Sequence, residues 1–282
     1  MASSKVFFSR VFCSALPCIV TVLLVASPAH SALLFTENFN YTVGSNLAGQ
    51  NGGSGFSGAW SGGSSTIVAG LGGTGNAVQI GSSIATRSLS STFSTSGNTF
   101  YISYLMSASN FAGGNYTGIS LWDGGTEQVF FGIPYGAGNF GFDARGGTGV
   151  GGIKTIDFSP SINTTYLITL GLSPSATSGK VDIKMWATSN LGIDPNTLIA
   201  GAANASLLGA RNNFSFNTLK LNGDYAGSLK VSGIANAPTA AEAINFSTQS
   251  AAPVPEPGTW AAAALLAGGA AFARWRQRAK VA

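Results

Sequence analysis

The side chains of this chain that could act as acids and bases are carboxylates, and three of them lie near one another in its middle third. Glycoside hydrolysis uses a pair of facing carboxyl groups, which makes Asp123, Glu127 and Asp143 the candidates. Glu127 has no carboxylate two residues further along the same face of its predicted strand, and the two aspartates fit turns or strand ends. We therefore expect no catalytic residue and no enzyme activity.

Binding of a hard cation is the second chemistry that these carboxylates allow. Ca²⁺ takes oxygen ligands from loop carboxylates and carbonyls, and Asp123, Asp143 and Asp224 each lie near the end of a predicted strand. No dense acidic loop of the D-x-D-x-D-G type occurs in the sequence. We predict no cofactor. One structural calcium ion stays open as the alternative to aspartates that cap turns.

The third chemistry that the sequence allows is sugar recognition by aromatic rings. Trp122, Tyr116 and Tyr135 lie close to Asn and Asp residues in predicted loops and strand ends, where their rings could stack on a saccharide. The alternative, which we favour for each ring, is that these aromatics fill a core or cover glycine-rich loops.

Histidine and cysteine chemistry is confined to the N-terminal segment. The chain has one histidine, His30, and two cysteines, Cys13 and Cys18. All three fall within a predicted signal peptide. A mature chain without them has no Ser-His or Cys-His catalysis, no usual zinc site and no disulfide bond.

The first 31 residues have the pattern of a secretory signal peptide. Two basic residues lead into an apolar run over 11–26, and Ala29-His30-Ser31 supplies small residues at the cleavage site. We predict cleavage after Ser31 or Ala32. An uncleaved N-terminal anchor is the alternative.

The C-terminus has three parts in a fixed order: a rigid motif, an apolar run and a basic tail. Val254, Pro255, Glu256 and Pro257 form the motif, whose prolines keep the backbone extended. The apolar run over 258–273 would form a single helix about 24 Å long, against a bilayer core of about 30 Å. It predicts a marginal, transient insertion in the inner membrane. The basic residues stay on the cytoplasmic side and include three arginines: Arg274, Arg276 and Arg278.

This ending resembles the PEP-CTERM sorting signal of exopolysaccharide-producing Gram-negative bacteria. The resemblance covers 254–282 and implies recognition by an exosortase, a membrane-embedded cysteine transpeptidase that removes the tail. It also implies export through the inner membrane and delivery to the cell surface or the extracellular space. The alternative is an ordinary C-terminal anchor that follows a proline-rich linker and is never processed.

The formal charge of +4 belongs to these terminal signals. Six of the fourteen basic residues lie in them, which leaves eight basic residues against nine acidic ones between Ala32 and Ala252. Nucleic-acid binding requires a basic patch that neutralises phosphates. The near-neutral body therefore predicts no nucleic-acid partner.

The body, 32–240, is predicted as an antiparallel β-sandwich because short β-like runs alternate with Gly, Asn and Ser clusters. The segment 180–188 has the cleanest alternation, with Val181, Ile183 and Met185 on one face. No helix is expected before the tail, apart from a short turn over 238–243, and 241–253 is expected to be a flexible linker. The predicted strands are 33–41, 77–80, 84–89, 99–107, 117–122, 127–133, 139–144, 153–158, 165–172, 180–188, 214–221 and 228–234.

The body also resembles the concanavalin A-like and laminin-G-like jelly-roll domains. The features that support this are the opening LLFTENFNY with its glycine-rich loop to Trp60, the strand over 180–188, and the closing strand over 229–234. The hydrolase pattern E-x-D-x-x-E of that family is missing. We expect a non-enzymatic surface or matrix protein that is structural or associated with exopolysaccharide. The alternative is a lectin-like carbohydrate-binding module or a glycoside-active enzyme at the cell surface.

Overall fold

The structure is a computed structural model that describes residues 33–72, 75–80, 84–109, 116–134, 138–144, 152–155, 160–223 and 229–248. Several predicted features lie outside these residues: the signal peptide with Ser31 and Ala32, the apolar segment 258–273, Tyr135, Asp224, the motif Val254, Pro255, Glu256 and Pro257, and the tail arginines Arg274, Arg276 and Arg278. Among the described residues, no helix is long and apolar enough to cross a membrane.

Two antiparallel sheets face each other, which confirms the predicted β-sandwich. The described part of the chain contains fourteen strands and two helices. The strands are β1 (Phe35–Glu37), β2 (Thr66–Ala69), β3 (Asn76–Ile80), β4 (Ala85–Ser94), β5 (Phe100–Ala108), β6 (Thr117–Asp123), β7 (Thr126–Ile133), β8 (Gly141–Asp143), β9 (Ile153–Thr155), β10 (Tyr166–Pro174), β11 (Lys180–Thr188), β12 (Ala205–Asn212), β13 (Ser215–Gly223) and β14 (Leu229–Ala237). The helices are α1 (Pro195–Ala200) and α2 (Ala240–Thr248).

The larger sheet has eight strands in the order β12-β11-β10-β5-β14-β3-β2, with β1 paired to β14. The smaller sheet has six strands in the order β4-β13-β6-β7-β8-β9. Strand β12 is therefore an edge of the larger sheet, and the chain leaves it to enter the smaller sheet at β13.

Alternating side chains from the two sheets form the core. In β11, Val181, Ile183 and Met185 are fully buried, as the alternation predicts. Across the core, the Tyr104 hydroxyl donates to the Phe131 carbonyl oxygen (2.9 Å) and joins the two sheets. Burial raises the pKa of that Tyr104 hydroxyl, which stays protonated and keeps donating.

The glycine-rich loop before Trp60 packs against the sandwich through its aromatic residues. Trp60 is buried in the core, and Phe56 packs against it. The loop comes so close to β1 that a Cβ on Gly55 would lie 2.2 Å from the Leu34 carbonyl oxygen. Only glycine fits there, since Gly55 also has a φ of +77°.

One buried carboxylate holds this loop in place. Glu37 Oε2 accepts hydrogen bonds from Arg87 Nη1 (2.6 Å), Trp60 Nε1 (2.9 Å) and the Tyr41 hydroxyl (2.8 Å). Glu37 Oε1 accepts from the backbone N–H of Phe39 (2.9 Å), which has a left-handed φ of 52°. All four of these groups thus donate to the Glu37 carboxylate, and the cluster serves to hold the loop against the sandwich.

Both helices pack on the outer face of the larger sheet, where Leu198 of α1 and Ile244 of α2 join one apolar cluster. The expectation of a flexible linker over 241–253 is wrong for 241–248, which belong to α2. The physical reason is burial: Ala243 and Ile244 are fully enclosed, and Ser103 Oγ of β5 donates to the Ala243 carbonyl oxygen. The expectation of no helix before the tail is therefore also wrong.

Candidate functional site

A cleft of about 450 Å³ lies where strands of both sheets begin and end. The end of β4, the β6–β7 hairpin and the connection from β12 to β13 surround it. Its lining is largely polar and takes groups from both sheets. The central residues are Asp123, Thr126, Gln128, Arg211, Asn213 and Phe214.

A bulge in the edge strand β12 positions Arg211. Val181 pairs with Arg211 whereas Ile183 pairs with Leu207, so β12 has extra residues between these two pairs. Gly209 turns the backbone there with a φ of +64°, and its N–H donates to Asp182 Oδ1 (2.8 Å). Bulges re-aim side chains next to binding sites, and this one places Arg211 at the cleft.

A second bulge positions Gln128 on the opposite sheet. Leu121 pairs with Val129 and Trp122 pairs with Glu127, which leaves Gln128 as the extra residue of β7. Its side-chain Oε1 accepts a hydrogen bond from Arg211 Nη2 (2.9 Å). The hydrogen bond between Arg211 and Gln128 therefore joins the two sheets at the cleft.

The loop between β12 and β13 is held by Thr95. Its hydroxyl donates to the Phe214 carbonyl oxygen (3.1 Å) and accepts from the Phe214 N–H (3.0 Å). The Thr95 backbone N–H donates to the same carbonyl (2.9 Å). The fixed Phe214 ring then lies 5.2 Å from Arg211 Cζ, within the range of a cation–π contact.

The Arg211 guanidinium is buried without a charged partner. The side chain is 2 % exposed, and all its hydrogen bonds to described residues come from Nη2. Nε is buried with no partner. Among the described residues, the one ion pair within 4.0 Å joins Arg87 to Glu37, so no described carboxylate pairs with Arg211. Burial lowers the pKa of Arg211, because the charge has lost water and gained no anion.

Acceptors line the same cleft as this donor. The Asn213 Oδ1 atom is buried without a hydrogen-bond partner, and Asp123 Oδ1 accepts one hydrogen bond from Asn217 Nδ2 (3.1 Å). Asn213 and Asp123 both line the cleft. The site thus offers a guanidinium, an amide oxygen and a carboxylate to one ligand, which suits a molecule with several hydroxyl groups.

Among the sequence-derived candidates that the structure describes, Asp123 is the one that lines the cleft. Trp122, next to it, is half-buried on the smaller sheet. Its Nε1 donates to Ser120 Oγ (2.7 Å), and the Lys220 ammonium lies 3.3 Å from its ring centroid. One face of the ring is therefore covered by a cation. Glu127 pairs with Trp122 in the register and does not line the cleft.

Two of the three calcium candidates, Asp123 and Asp143, lie in the described part of the chain, and Asp224 lies outside it. The Asp143 carboxylate is buried and accepts from the Tyr116 hydroxyl (3.1 Å), whose ring packs edge-on against Phe130 at 4.9 Å. Within the described ranges, no three His, Cys, Asp or Glu side chains form a metal-binding group. Asp143 and Tyr116 thus belong to one packed cluster on the smaller sheet.

Sequence reasoning missed Arg211, Gln128 and Asn213. No strand was predicted between 188 and 214, so Arg211 was not assigned to a strand. The available signal was the position of Arg211 between Gly209 and a pair of asparagines, since glycine in a strand often marks a bulge.

No family model matches the chain, and no curated protein matches it. The binding domain of botulinum neurotoxin serotype D is similar in structure, with a TM-score of 0.50 and 12 % identity over 77 % of this chain and 52 % of that chain. This chain therefore spans about half of that domain's length. At such identity the likeness shows the β-sandwich fold alone.

Two further solved structures are similar at lower scores. Domain 4 of AbnA, a GH43 extracellular arabinanase from Geobacillus stearothermophilus solved with arabinotriose, has a TM-score of 0.49 and 12 % identity over 78 % of this chain and 99 % of that one. The alginate lyase Aly36B, solved with alginate tetrasaccharide, has a TM-score of 0.43 and 12 % identity over 72 % and 95 %.

Proposed function

We propose that this chain is an exported cell-surface or matrix protein whose β-sandwich binds polysaccharide without altering it chemically. One observation carries the proposal: two buried orphan atoms, the donor Nε of Arg211 and the acceptor Oδ1 of Asn213, belong to residues that line the same polar cleft. Buried polar groups in native proteins are nearly always hydrogen-bonded. A ligand with adjacent donors and acceptors, such as neighbouring hydroxyls of a sugar, would satisfy both once the two side chains turn toward the cleft.

Binding without catalysis is supported by the composition of the cleft. Among the described residues that line it, Asp123 is the one carboxylate. The usual glycosidase mechanisms need two carboxyl groups on opposite sides of the scissile bond. Release of reducing ends from a bound polysaccharide would favour the alternative, a glycoside-active enzyme.

The sorting route of the proposal rests on the C-terminal resemblance. An exosortase would act at Val254, Pro255, Glu256 and Pro257 while the apolar segment is held in the inner membrane. Helix α2 ends at Thr248, so five residues separate the folded body from the motif. Five extended residues span at most about 18 Å, and cleavage would therefore take place close to the folded domain.

Mass spectrometry of the mature C-terminus tests the sorting route. The proposal predicts a chain that ends near the proline motif and lacks the segment 274–282. An intact basic tail on protein recovered from the cell surface contradicts it and supports a permanent anchor.

A glycan array probed with the full chain tests polysaccharide binding at the cleft. Asn213→Ala removes the orphan acceptor, and loss of one such hydrogen bond weakens binding about tenfold. Trp122→Ala is the matched control, because Trp122 lies outside the cleft and its removal is expected to leave binding unchanged. Binding that depends on Trp122 and not on Asn213 refutes the cleft as the site.

A further inference from the structure

We infer that the cleft recognises an acidic saccharide, with the carboxylate of a uronic acid residue paired to the Arg211 guanidinium. The inference rests on the proposed polysaccharide-binding function and names its substrate class. It follows from three features of the cleft: the missing counter-charge of Arg211, the separate position of Asp123, and the bulges that place both sides of the site.

The chain contains its own reference for a satisfied buried arginine. Arg87 and Arg211 are each 2 % exposed. Arg87 donates from Nε to the Gly58 carbonyl oxygen (2.7 Å), from Nη1 to Glu37 and from Nη2 to Asn51 Oδ1 (2.9 Å). All three of its nitrogens are used, and its charge is neutralised by a carboxylate.

Arg211 has the same burial and lacks these partners. Its Nη2 alone binds described residues, through the side chain and the backbone oxygen of Gln128. A buried ion without a counter-ion is unfavourable. A bound carboxylate would accept from the unused N–H groups and would supply the missing negative charge, as Glu37 does for Arg87.

Asp123 selects the kind of anion. It lines the same cleft and is farther than 4.0 Å from Arg211, since no ion pair joins the two side chains. A carboxylate repels a small anion but accepts hydrogen bonds from hydroxyl groups. A uronic acid residue has a carboxylate and hydroxyls at different positions of one ring, so the carboxylate can face Arg211 while hydroxyls face Asp123 and Asn213.

The bulges give a second, independent reason to regard the cleft as a binding site. Irregularities in β12 beside Arg211, in β7 at Gln128 and in the pairing of β4 with β13 all lie around it. Strand irregularities are over-represented at sheet edges and next to active sites, where they re-aim a side chain.

Calorimetry on the full chain tests the inference with an alginate oligosaccharide and its carboxyl-reduced, neutral counterpart. We expect the acidic form to bind about 10- to 100-fold more tightly than the reduced form, since a hydrogen-bonded charge pair is lost. Arg211→Gln should remove this preference. Lys220→Gln, which removes a cation beside Trp122 outside the cleft, should leave it within twofold. An oligosaccharide that carries sulfate groups and no carboxyl groups distinguishes a carboxylate requirement from attraction to any anionic sugar.

Arg211→Met provides the folding control. If Arg211 is kept for a ligand, the apolar variant unfolds at the same urea concentration as the parent chain or at a higher one, because an unpaired charge has left the interior. A strongly lowered midpoint makes Arg211 a structural residue and overturns the inference.

The remaining outcomes distinguish a failure of the acidic-saccharide inference from a failure of the proposed polysaccharide binding. Equal binding of the acidic and reduced oligosaccharides that Asn213→Ala weakens about tenfold overturns the acidic ligand and leaves polysaccharide binding in place. Equal binding of the sulfated and carboxylated forms overturns the assignment to a uronic acid. Binding of none of the three overturns the inference and the proposed polysaccharide binding together.

Discussion

Replacing Glu37 with glutamine is the sharpest test of what holds the glycine-rich loop to the sandwich. The change preserves the shape of the side chain and removes its charge. Three side-chain donors converge on Oε2, from Arg87, Trp60 and Tyr41, and the Phe39 N–H donates to Oε1. A carboxamide has one acceptor atom and one donor atom, so at least one of these N–H or O–H groups would face another donor.

The expected loss in free energy of unfolding is about 3–5 kcal/mol, the usual cost of removing one partner from a buried ion pair. Arg87 would keep its hydrogen bonds to Gly58 and Asn51. Its charge would nevertheless be left in the core without a counter-ion. Since domains of this size are stable by about 5–15 kcal/mol, Glu37→Gln would use up a large share of the total stability.

Urea unfolding of the purified chain, followed by tryptophan fluorescence, measures this loss. The matched control is Glu242→Gln, where a half-buried glutamate accepts a hydrogen bond from the Thr239 hydroxyl (2.6 Å) at the start of α2. Glutamine also serves in a capping box, so the control should change stability by less than about 0.5 kcal/mol. If Glu37→Gln costs no more than Glu242→Gln, the buried network does not stabilise the fold as argued.

Further perturbations give three more expected outcomes. Burial, followed by the Glu37 charge, raises the pKa of Tyr41 to about 12. The free energy of unfolding should therefore hold below pH 10 and fall between pH 10 and 12, because the tyrosine of the unfolded state ionises first. Tyr41→Phe should flatten that fall in unfolding curves measured at different pH values. Asn236 is fully buried with both side-chain polar atoms unpartnered, so Asn236→Leu should raise the free energy of unfolding by about 1–2 kcal/mol, and a loss in chemical denaturation would contradict this. Ser103→Ala removes the hydroxyl that contacts Ala243 and Ser247 of α2; amide exchange should become faster in α2 while the strands of the smaller sheet keep their protection.

The strands were largely predictable because each has one face in the core. In β11, buried Val181, Ile183 and Met185 alternate with half-buried Asp182 and Lys184, and this period is written in the sequence. The two sheets and their order were not predictable. Strand order depends on pairings between distant segments, such as β5 with β10 and β14, which no local pattern specifies.

The helices were missed although both have local start signals. Asp194 caps α1, and its Oδ1 accepts from the Thr197 N–H (2.8 Å), with Pro195 in the first turn. Thr239 and Glu242 form the T-x-x-E pattern that opens α2. Both helices are short, six and nine residues, and short helices take their stability from packing rather than from sequence propensity.

The cleft could not be read from the sequence because bulges position it. Arg211 and Gln128 meet only after β12 and β7 each shift register against a neighbouring strand. The residue types that attract attention, Trp122, Tyr116 and Asp143, turn out to be bound to neighbouring side chains. Asp123 is the one described candidate that lines the cleft, together with a buried arginine whose role depends on tertiary pairing.

A crystal structure of the protein with a bound uronic acid oligosaccharide tests the central claim most directly. We predict a sugar carboxylate oxygen about 2.7–2.9 Å from a guanidinium nitrogen of Arg211, with sugar hydroxyls at Asp123 and Asn213. A saccharide bound on the outer face beside Trp122, or one whose carboxylate points away from Arg211, would contradict it.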